Sequence, residues 1–396
     1  MKAATILSLL PLAIAAPASK RAGGPAPLLK PRDAGDNLIP GQYIVKMKEG
    51  MSTASISDAL TLFPGDAEHE WHEGSFKGFA AKISDEDLAR IQDHPDVEYV
   101  EQDAVVTLNA YTTQTGAPWG ISRISHSSRQ TTSYTYDDSA GTGVCAYVID
   151  TGILTTHNQF AGRATFLQNY AGDGSNTDGN GHGTHVAGTI GGTTYGVAKK
   201  VSLFAVKVLN AQGSGTNSGV ISGMNFVASD ARTRNCPNGA VANMSLGGSK
   251  STAVNSAAAA MVNAGVFLAV AAGNDGANAA NYSPASEASA CTVGATTSAD
   301  ALASYSNFGA VVDILAPGSS ILSSWIGSNS ASNTISGTSM ASPHVAGLAA
   351  YLLALEGEST PAALCTRIGT LATKNAISGV PSSTKNYLAF NGNPSG

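Results

Sequence analysis

Three residues far apart in the chain carry side chains that together could cleave an amide: Asp150, His182 and Ser339. Asp150 ends the apolar run "AYVID" and precedes Thr151-Gly152. A carboxylate at the carboxyl end of a strand stands where an acid orients a base, although a lone Asp-Thr-Gly also reads as an Asx turn. His182 lies between Gly181 and Gly183 in "DGNGHGTHVAGTI", just ahead of an apolar helix. The glycines let another backbone or a substrate approach the ring. His185, three residues on, suggests a metal pair, but the chain has no HExxH motif to complete a zinc site. Ser339 falls in "ISGTSMASPHVAGLAAYLLAL", residues 335–355, with Ser336, Thr338 and Ser342 as competing hydroxyls. A helix beginning there offers free N–H groups and a positive dipole end, which suits an anionic tetrahedral intermediate. Asn274 follows "FLAVAAG" and could donate its amide to the same oxyanion; alone it is an Asn in a turn. Together these residues could supply a nucleophile, a base and an orienting acid for acyl transfer, although a lone histidine in such a place is more often a packed or capping residue. No GxSxG elbow occurs, which argues against the α/β-hydrolase arrangement.

The elements that must position them are legible as short apolar runs alternating with helical segments from residue 140 onward. The predicted strands are "GVCAYVID", "SLFAVKVL", "AVANMSL", "VFLAVAA" and "CTVGA". The predicted helices are "HGTHVAGTIGG", "SGVISGMNFVASDA", "TAVNSAAAAMVNAG" and the Ser339 stretch. Fully apolar strands alternating with helices imply an α/β fold with a mostly parallel sheet covered on both faces. Ligands in such folds bind beyond the carboxyl ends of the strands.

Ahead of this region the chain is organised differently. "MKAATILSLLPLAIAAP" has a basic start, an apolar core and small residues at Ala13 and Ala15, the pattern of a secretory signal peptide over residues 1–15. Residues 16–40 are rich in Pro, Ala and Gly and read as a flexible leader, with Lys20-Arg21 as a dibasic pair. Residues 41–108 read as a small α+β unit in the order strand–helix–strand–strand–helix–strand, with Ser84 capping the second helix. The boundary is expected near Asn109 and Ala110. No further apolar run reaches the roughly 20 residues of a membrane span.

Charge follows the same division. Residues 16–109 carry 9 basic and 16 acidic residues, whereas residues 110–396 carry 12 of each. The larger region therefore has no bulk attraction for nucleic acid or an anionic membrane. The four cysteines, Cys145, Cys236, Cys291 and Cys365, all lie in that region without a CxxC pair. In an oxidising compartment they read as two disulfides, for which sequence alone allows three connectivities.

The blocks "VIDTGI", "GHGTHVAG" and "GTSMASPHVAG" resemble the three signature segments of the subtilase family, in that family's Asp…His…Ser order. "GAPWGISRIS", "NMSLGG" and "NYSPASE" narrow the likeness to the proteinase K group of secreted fungal alkaline and cuticle-degrading proteases. The likeness covers residues 110–396, and residues 41–108 resemble the family's inhibitory propeptide. It implies a subtilisin-like three-layer fold, a secreted extracellular serine endopeptidase acting as a monomer on protein or peptide substrates, and a zymogen that cuts itself at Asn109–Ala110. By motif, Ser339 is the nucleophile, His182 the base, Asp150 its orienter, and Asn274 with the Ser339 N–H the oxyanion hole. Gly213, Ser214 and Gly215 would form one substrate edge, and Ser245, Leu246 and Gly247 the other. Leu246 with Ala271, Ala272 and Gly273 suggests a roomy apolar P1 pocket. The family pattern implies Cys145–Cys236 and Cys291–Cys365 bridges. It also implies one structural calcium on Asp313 with the carbonyls of Ala288 and Ala290. A second calcium site is expected to be absent, because no acid follows Glu358. The sequons at Asn243 and Asn281 fall in predicted cleft segments and are expected to stay unglycosylated.

Two rivals from other classes are weighed against this. A catalytically silent binding protein of the same fold would need a broken triad, and all three positions are intact. A secreted esterase is disfavoured by the absent GxSxG and by the propeptide-like unit.

Overall fold

Alternation within the apolar strands decides the architecture of the larger region. Along the strand Cys145–Asp150, Ala146 and Val148 enter one buried cluster, while Cys145, Tyr147 and Ile149 enter another. Along Val266–Ala271, Phe267 and Ala269 face the first cluster and Val266, Leu268 and Val270 the second. A sheet that is apolar on both sides must be covered on both sides. The helices His182–Gly191, Thr338–Glu356 and Pro361–Leu371 cover one face with Val186, Ile190, Val345, Leu348 and Ile368. Asn217–Asp230 and Thr252–Asn263 cover the other with Val220, Met224, Val254 and Met261. The result is the three-layer α/β arrangement expected of the sequence.

This computed structural model describes residues 24–30, 38–105, 111–129 and 131–396. The chain divides into two units, Met1–Thr107 and Leu108–Gly396. The large sheet of the second unit has nine strands. Across it lie Thr373–Lys374, Tyr387–Leu388, Ile314–Pro317, Cys291–Thr296, Val266–Ala271, Ala240–Met244, Cys145–Asp150, Ser202–Lys207 and Ala164–Asn169. Every neighbouring pair is parallel except the first, at the sheet's edge. Asp150 pairs in register with Lys207, so it stands at the carboxyl edge of the central strands. Two disulfides, Cys145–Cys236 and Cys291–Cys365, close loops of 91 and 74 residues. By loop-closure entropy each contributes at most about 4–5 kcal/mol.

The helices differ in how they start. Thr216, Ser251 and Thr360 each cap a helix by accepting a backbone N–H. The helices that begin at His182 and Thr338 are preceded by Gly181 and Gly337 and have no such cap. Those two helix starts build the candidate site.

The first unit is a five-stranded sheet in the order Leu28–Leu29, Val97–Ala104, Leu38–Met47, Gly78–Lys82, Ala67–Trp71, with helices Thr53–Leu60 and Asp85–Gln92. Its core holds Val45, Met47, Ile56, Phe79, Ile91 and Val100. From Leu38 onward the element order is the one expected. Ser84 caps its helix by accepting the Asp87 N–H at 3.2 Å. Within the leader, residues 24–30 are more ordered than its composition implies: Leu28–Leu29 pairs in parallel with Val100 and Glu101, and Ala26 is buried. Two pairing residues and one small apolar anchor are too short a signal to rise above a Pro/Gly-rich background. The signal segment 1–15, Lys20-Arg21 and the Asn109–Ala110 junction lie outside the described residues.

Candidate active site

Asp150 is wholly buried and its Oδ1 accepts two bonds, from His182 Nδ1 at 2.8 Å and from the Thr151 N–H at 2.7 Å. The ring of His182 therefore has one nitrogen fixed by a carboxylate. Burial alone would depress its pKa. The charge of Asp150, their hydrogen bond and the more distant Asp178 outweigh this, so His182 holds its proton above the ordinary histidine range.

Backbone closeness brings the pair together. A Cβ at Gly183 would sit 2.1 Å from the Gly152 carbonyl oxygen, so only glycine lets the His182 helix approach the strand exit after Asp150. Gly181 has φ +105°, and a Cβ there would collide with the Trp325 ring. Side chains then satisfy the helix's opening N–H groups. His182 N–H donates to Asn180 Oδ1, Gly183 N–H to Thr151 Oγ1, and Thr184 N–H to Asp178 Oδ2. Asp178 is buried and also accepts from the Thr151 and Thr184 hydroxyls and the Asn180 and Gly181 amides. Sequence reading missed this residue, although an Asp four positions before the histidine, followed by a Gly-Asn-Gly turn, was a legible signal. His185 is no metal ligand in this arrangement. It is fully buried, bonds the Ile321 carbonyl through Nε2 at 2.9 Å, and is held neutral by burial, with its pKa pushed down to about 4.

The second helix start behaves differently. The Thr338 N–H and hydroxyl both donate to Asn274 Oδ1, at 2.8 and 2.9 Å. These bonds fix the Asn274 amide with its oxygen turned to Thr338, and among the described residues its NH2 group meets no acceptor. Among the described residues the Ser339 N–H meets no acceptor, as expected of a first-turn position. Ser339 Oγ donates to the Ser245 carbonyl at 3.1 Å, and no hydrogen bond joins it to His182. The Ser245 hydroxyl in turn donates to the Ser339 carbonyl at 2.7 Å. Pro343 explains that second bond. Proline has no N–H for the carbonyl four residues back, and Ser245 supplies the missing donor. Thr338, one of the competing hydroxyls, is a buried helix residue that orients Asn274. Ser336 accepts the Ser320 N–H, and Ser342 donates to Asn243 Oδ1. Asn243 is itself fully buried and also bonds Ser245, so burial closes its sequon in the folded chain. Asn281 is exposed.

A cavity of about 450 Å³ is lined by His182, Gly213, Ser214, Gly215, Ser245, Leu246 and Gly247 among others. A neighbouring one of about 400 Å³ is lined by Ala271, Ala272, Gly273, Asn274, Leu246, Gly247 and Ser339. Leu246, Gly247, Gly248 and Ser283 belong to both walls. All the residues expected at the two edges and the P1 pocket thus gather around His182 and Ser339. The second cavity also includes Asp275 and Tyr282, which sequence reading did not single out. Asp313, Ala288 and Ala290 line a third cavity, away from the cleft.

A carboxylate-held imidazole, a helix-start serine and two N–H donors that meet no acceptor among the described residues are the parts needed for acyl transfer. The chain's likenesses agree with that chemistry. Residues 141–386 match the model of the subtilase family, and residues 42–109 match that of the peptidase inhibitor I9. The chain is 59% identical over its full length to all of the subtilisin-like serine protease AsES of Sarocladium strictum. It is 56% identical to the cuticle-degrading protease of Metarhizium anisopliae, over 99% of this chain and all of that one. A solved cold-adapted subtilisin-like serine proteinase superposes with a TM-score of 0.66 at 46% identity, over 70% of this chain and 99% of the other.

Proposed function

This chain belongs to the subtilase family and is a subtilisin-like serine endopeptidase with an I9-type propeptide, and from that premise we propose that Ser339, His182 and Asp150 are its catalytic triad. His182 takes the Ser339 proton as the hydroxyl attacks the scissile carbonyl, then delivers it to the leaving amine. Asp150 holds the ring's tautomer and stabilises the imidazolium. Asn274's NH2 group and the Ser339 N–H receive the oxyanion. Water then hydrolyses the acyl-enzyme by the same steps in reverse roles. The observation that carries this reading is the 2.8 Å Asp150–His182 bond on the cleft that Ser339 and Asn274 also line. Before attack, Ser339 Oγ must turn from the Ser245 carbonyl toward His182. Such bonds often tighten only once substrate is bound.

A serine-directed phosphonate should label Ser339 and no other residue. Asn274→Ala should keep the label while turnover falls about 10²–10³-fold, the cost of losing one oxyanion donor in serine proteases. A protein that resists labelling would sink the proposal and favour a silent binding protein.

The edges 213–215 and 245–247 would pair with an extended substrate main chain, which tolerates varied sequence. Small residues at 271–273 and Leu246 favour an apolar or aromatic P1 side chain, and the Asp275 carboxylate beside them disfavours an acidic one. A peptide library should therefore give broad cleavage with large apolar P1 residues leading. Strict selection of basic P1 residues would contradict this.

The I9-type unit implies a zymogen. We assign residues 1–15 to a signal peptide, 16–109 to the propeptide and 110–396 to the protease, with autocleavage at Asn109–Ala110. Subtilases generally bind structural calcium. Here Asp313 and the carbonyls of Ala288 and Ala290 are the candidate ligands: hard oxygen donors suited to calcium in type. They do not suit it in charge, because a lysine ammonium already sits on the only carboxylate of that cavity.

A further inference from the structure

The cavity beside Asp313 has a volume of about 430 Å³ and lies apart from the cleft. Its lining includes one acid, Asp313, and two lysines, Lys374 and Lys385. The sulfurs of Cys291 and Cys365 lie near the carboxylate, but they are joined in a disulfide and bring no charge. Asp313 Oδ1 is 2.9 Å from Lys385 Nζ, and Oδ2 accepts the Thr292 N–H at 3.1 Å. Both carboxylate oxygens are therefore engaged. Lys374 is used otherwise, its ammonium lying 5.4 Å from the centroid of the Tyr387 ring.

The backbone holds Lys385 where it is. Thr384, buried, accepts the Gly309 N–H through its hydroxyl at 2.8 Å. The Asn386 side chain bonds both the N–H and the carbonyl of Ile377. With both neighbours pinned, the lysine stem starts from a fixed point beside Asp313.

We propose that Lys385 is the built-in counter-cation of Asp313, an ammonium that replaces a divalent ion at this site and makes it a poor one for calcium. Charge decides the matter. A calcium ion at Asp313 would have to displace the ammonium or stand a few ångström from it. At low salt, repulsion between charges of +2 and +1 at about 5 Å is worth about ten-fold in affinity at the dielectric constant of water, and the half-exposed Lys385 side chain escapes it only by giving up its bond to Asp313. One carboxylate and backbone carbonyls are a weak donor set to set against that cost, since calcium affinity rises with ligand charge. The inference rests on the reading of Asp313 as the cavity's cation-binding carboxylate.

The test uses the secreted protein, blocked at its serine with a phosphonate to stop autolysis, in wild-type, Lys385→Met, Asp313→Asn and doubly substituted forms. Calcium binding is followed by calorimetry, and Tm is measured in EGTA and in millimolar calcium. Lys385→Met should gain one calcium, or bind it at least ten-fold more tightly than wild type, and its Tm should rise with calcium by several degrees more than the wild-type Tm does. Adding Asp313→Asn should abolish both gains. If wild type binds a calcium that Asp313→Asn removes, and Lys385→Met leaves its affinity unchanged, the counter-cation proposal fails while Asp313 remains a calcium ligand. If neither wild type nor Lys385→Met binds calcium in a way that Asp313→Asn alters, both readings fail.

Discussion

At the scale of single residues the site is a set of protons and donors held before substrate arrives. The raised pKa of His182 gives the clearest consequence. Because the neutral ring is the base, turnover should fall as pH drops through that raised value. The same shift contributes to folding stability on the acid side, and the contribution fades as pH rises through it. In a Ser339→Ala background the His182 NMR titration should have its midpoint above about 6.5, and Asp150→Asn should lower it. A wild-type midpoint at or below the ordinary value would contradict the role given to Asp150. Asp150, His182, Ser339 and Asn274 were legible because their types and local contexts are chemical statements in themselves. The supporting parts played by Thr338 and Ser245 were not. Thr338 acts by turning the Asn274 amide, and Ser245 replaces the helix bond that Pro343 removes. Those roles exist only once distant segments meet.

At the scale of elements the two helix starts solve opposite problems. The His182 helix has its first N–H groups satisfied by Asn180, Thr151 and Asp178, which makes the histidine rigid. The Thr338 helix leaves the Ser339 N–H without an acceptor among the described residues. Asp178 is the hub of the first arrangement, so Asp178→Asn should cost more than a surface change. It would set an NH2 group against donors that now meet a carboxylate, leaving buried groups unsatisfied at about 1–3 kcal/mol each. We expect a lower Tm and a kcat/KM reduced at least ten-fold, with phosphonate labelling of Ser339 slowed and not abolished. Unchanged labelling and unchanged Tm would remove Asp178 from the account. Sequence located the five apolar strands because each is a continuous buried run, and four of the helices because each carries a buried apolar stripe. It passed over Ala164–Asn169, a half-exposed edge strand, and Ile314–Pro317, which is four residues long. The helix Pro361–Leu371 carried a Thr360 cap and a Pro in its first turn and could have been found by those signals.

At the scale of the whole molecule the chain joins an acidic inhibitor-type unit to a protease unit whose formal charges balance. The three-layer order and the two-unit division were legible from periodicity, because sheets buried on both faces leave long apolar runs that a half-buried α+β unit does not. The Asp313–Lys385 pair was not legible, since 72 residues separate its partners and nothing in either segment announces the other. On the proposed function, Ser339 performs the chain's own maturation as well as its proteolysis. The most direct measurement is the mass and N-terminus of secreted Ser339→Ala protein beside wild type. Wild type should begin at Ala110, and the variant should accumulate uncut at about 380 residues with no caseinolysis. A variant that still matured to Ala110 when purified away from other proteases, or that still cleaved casein, would contradict it.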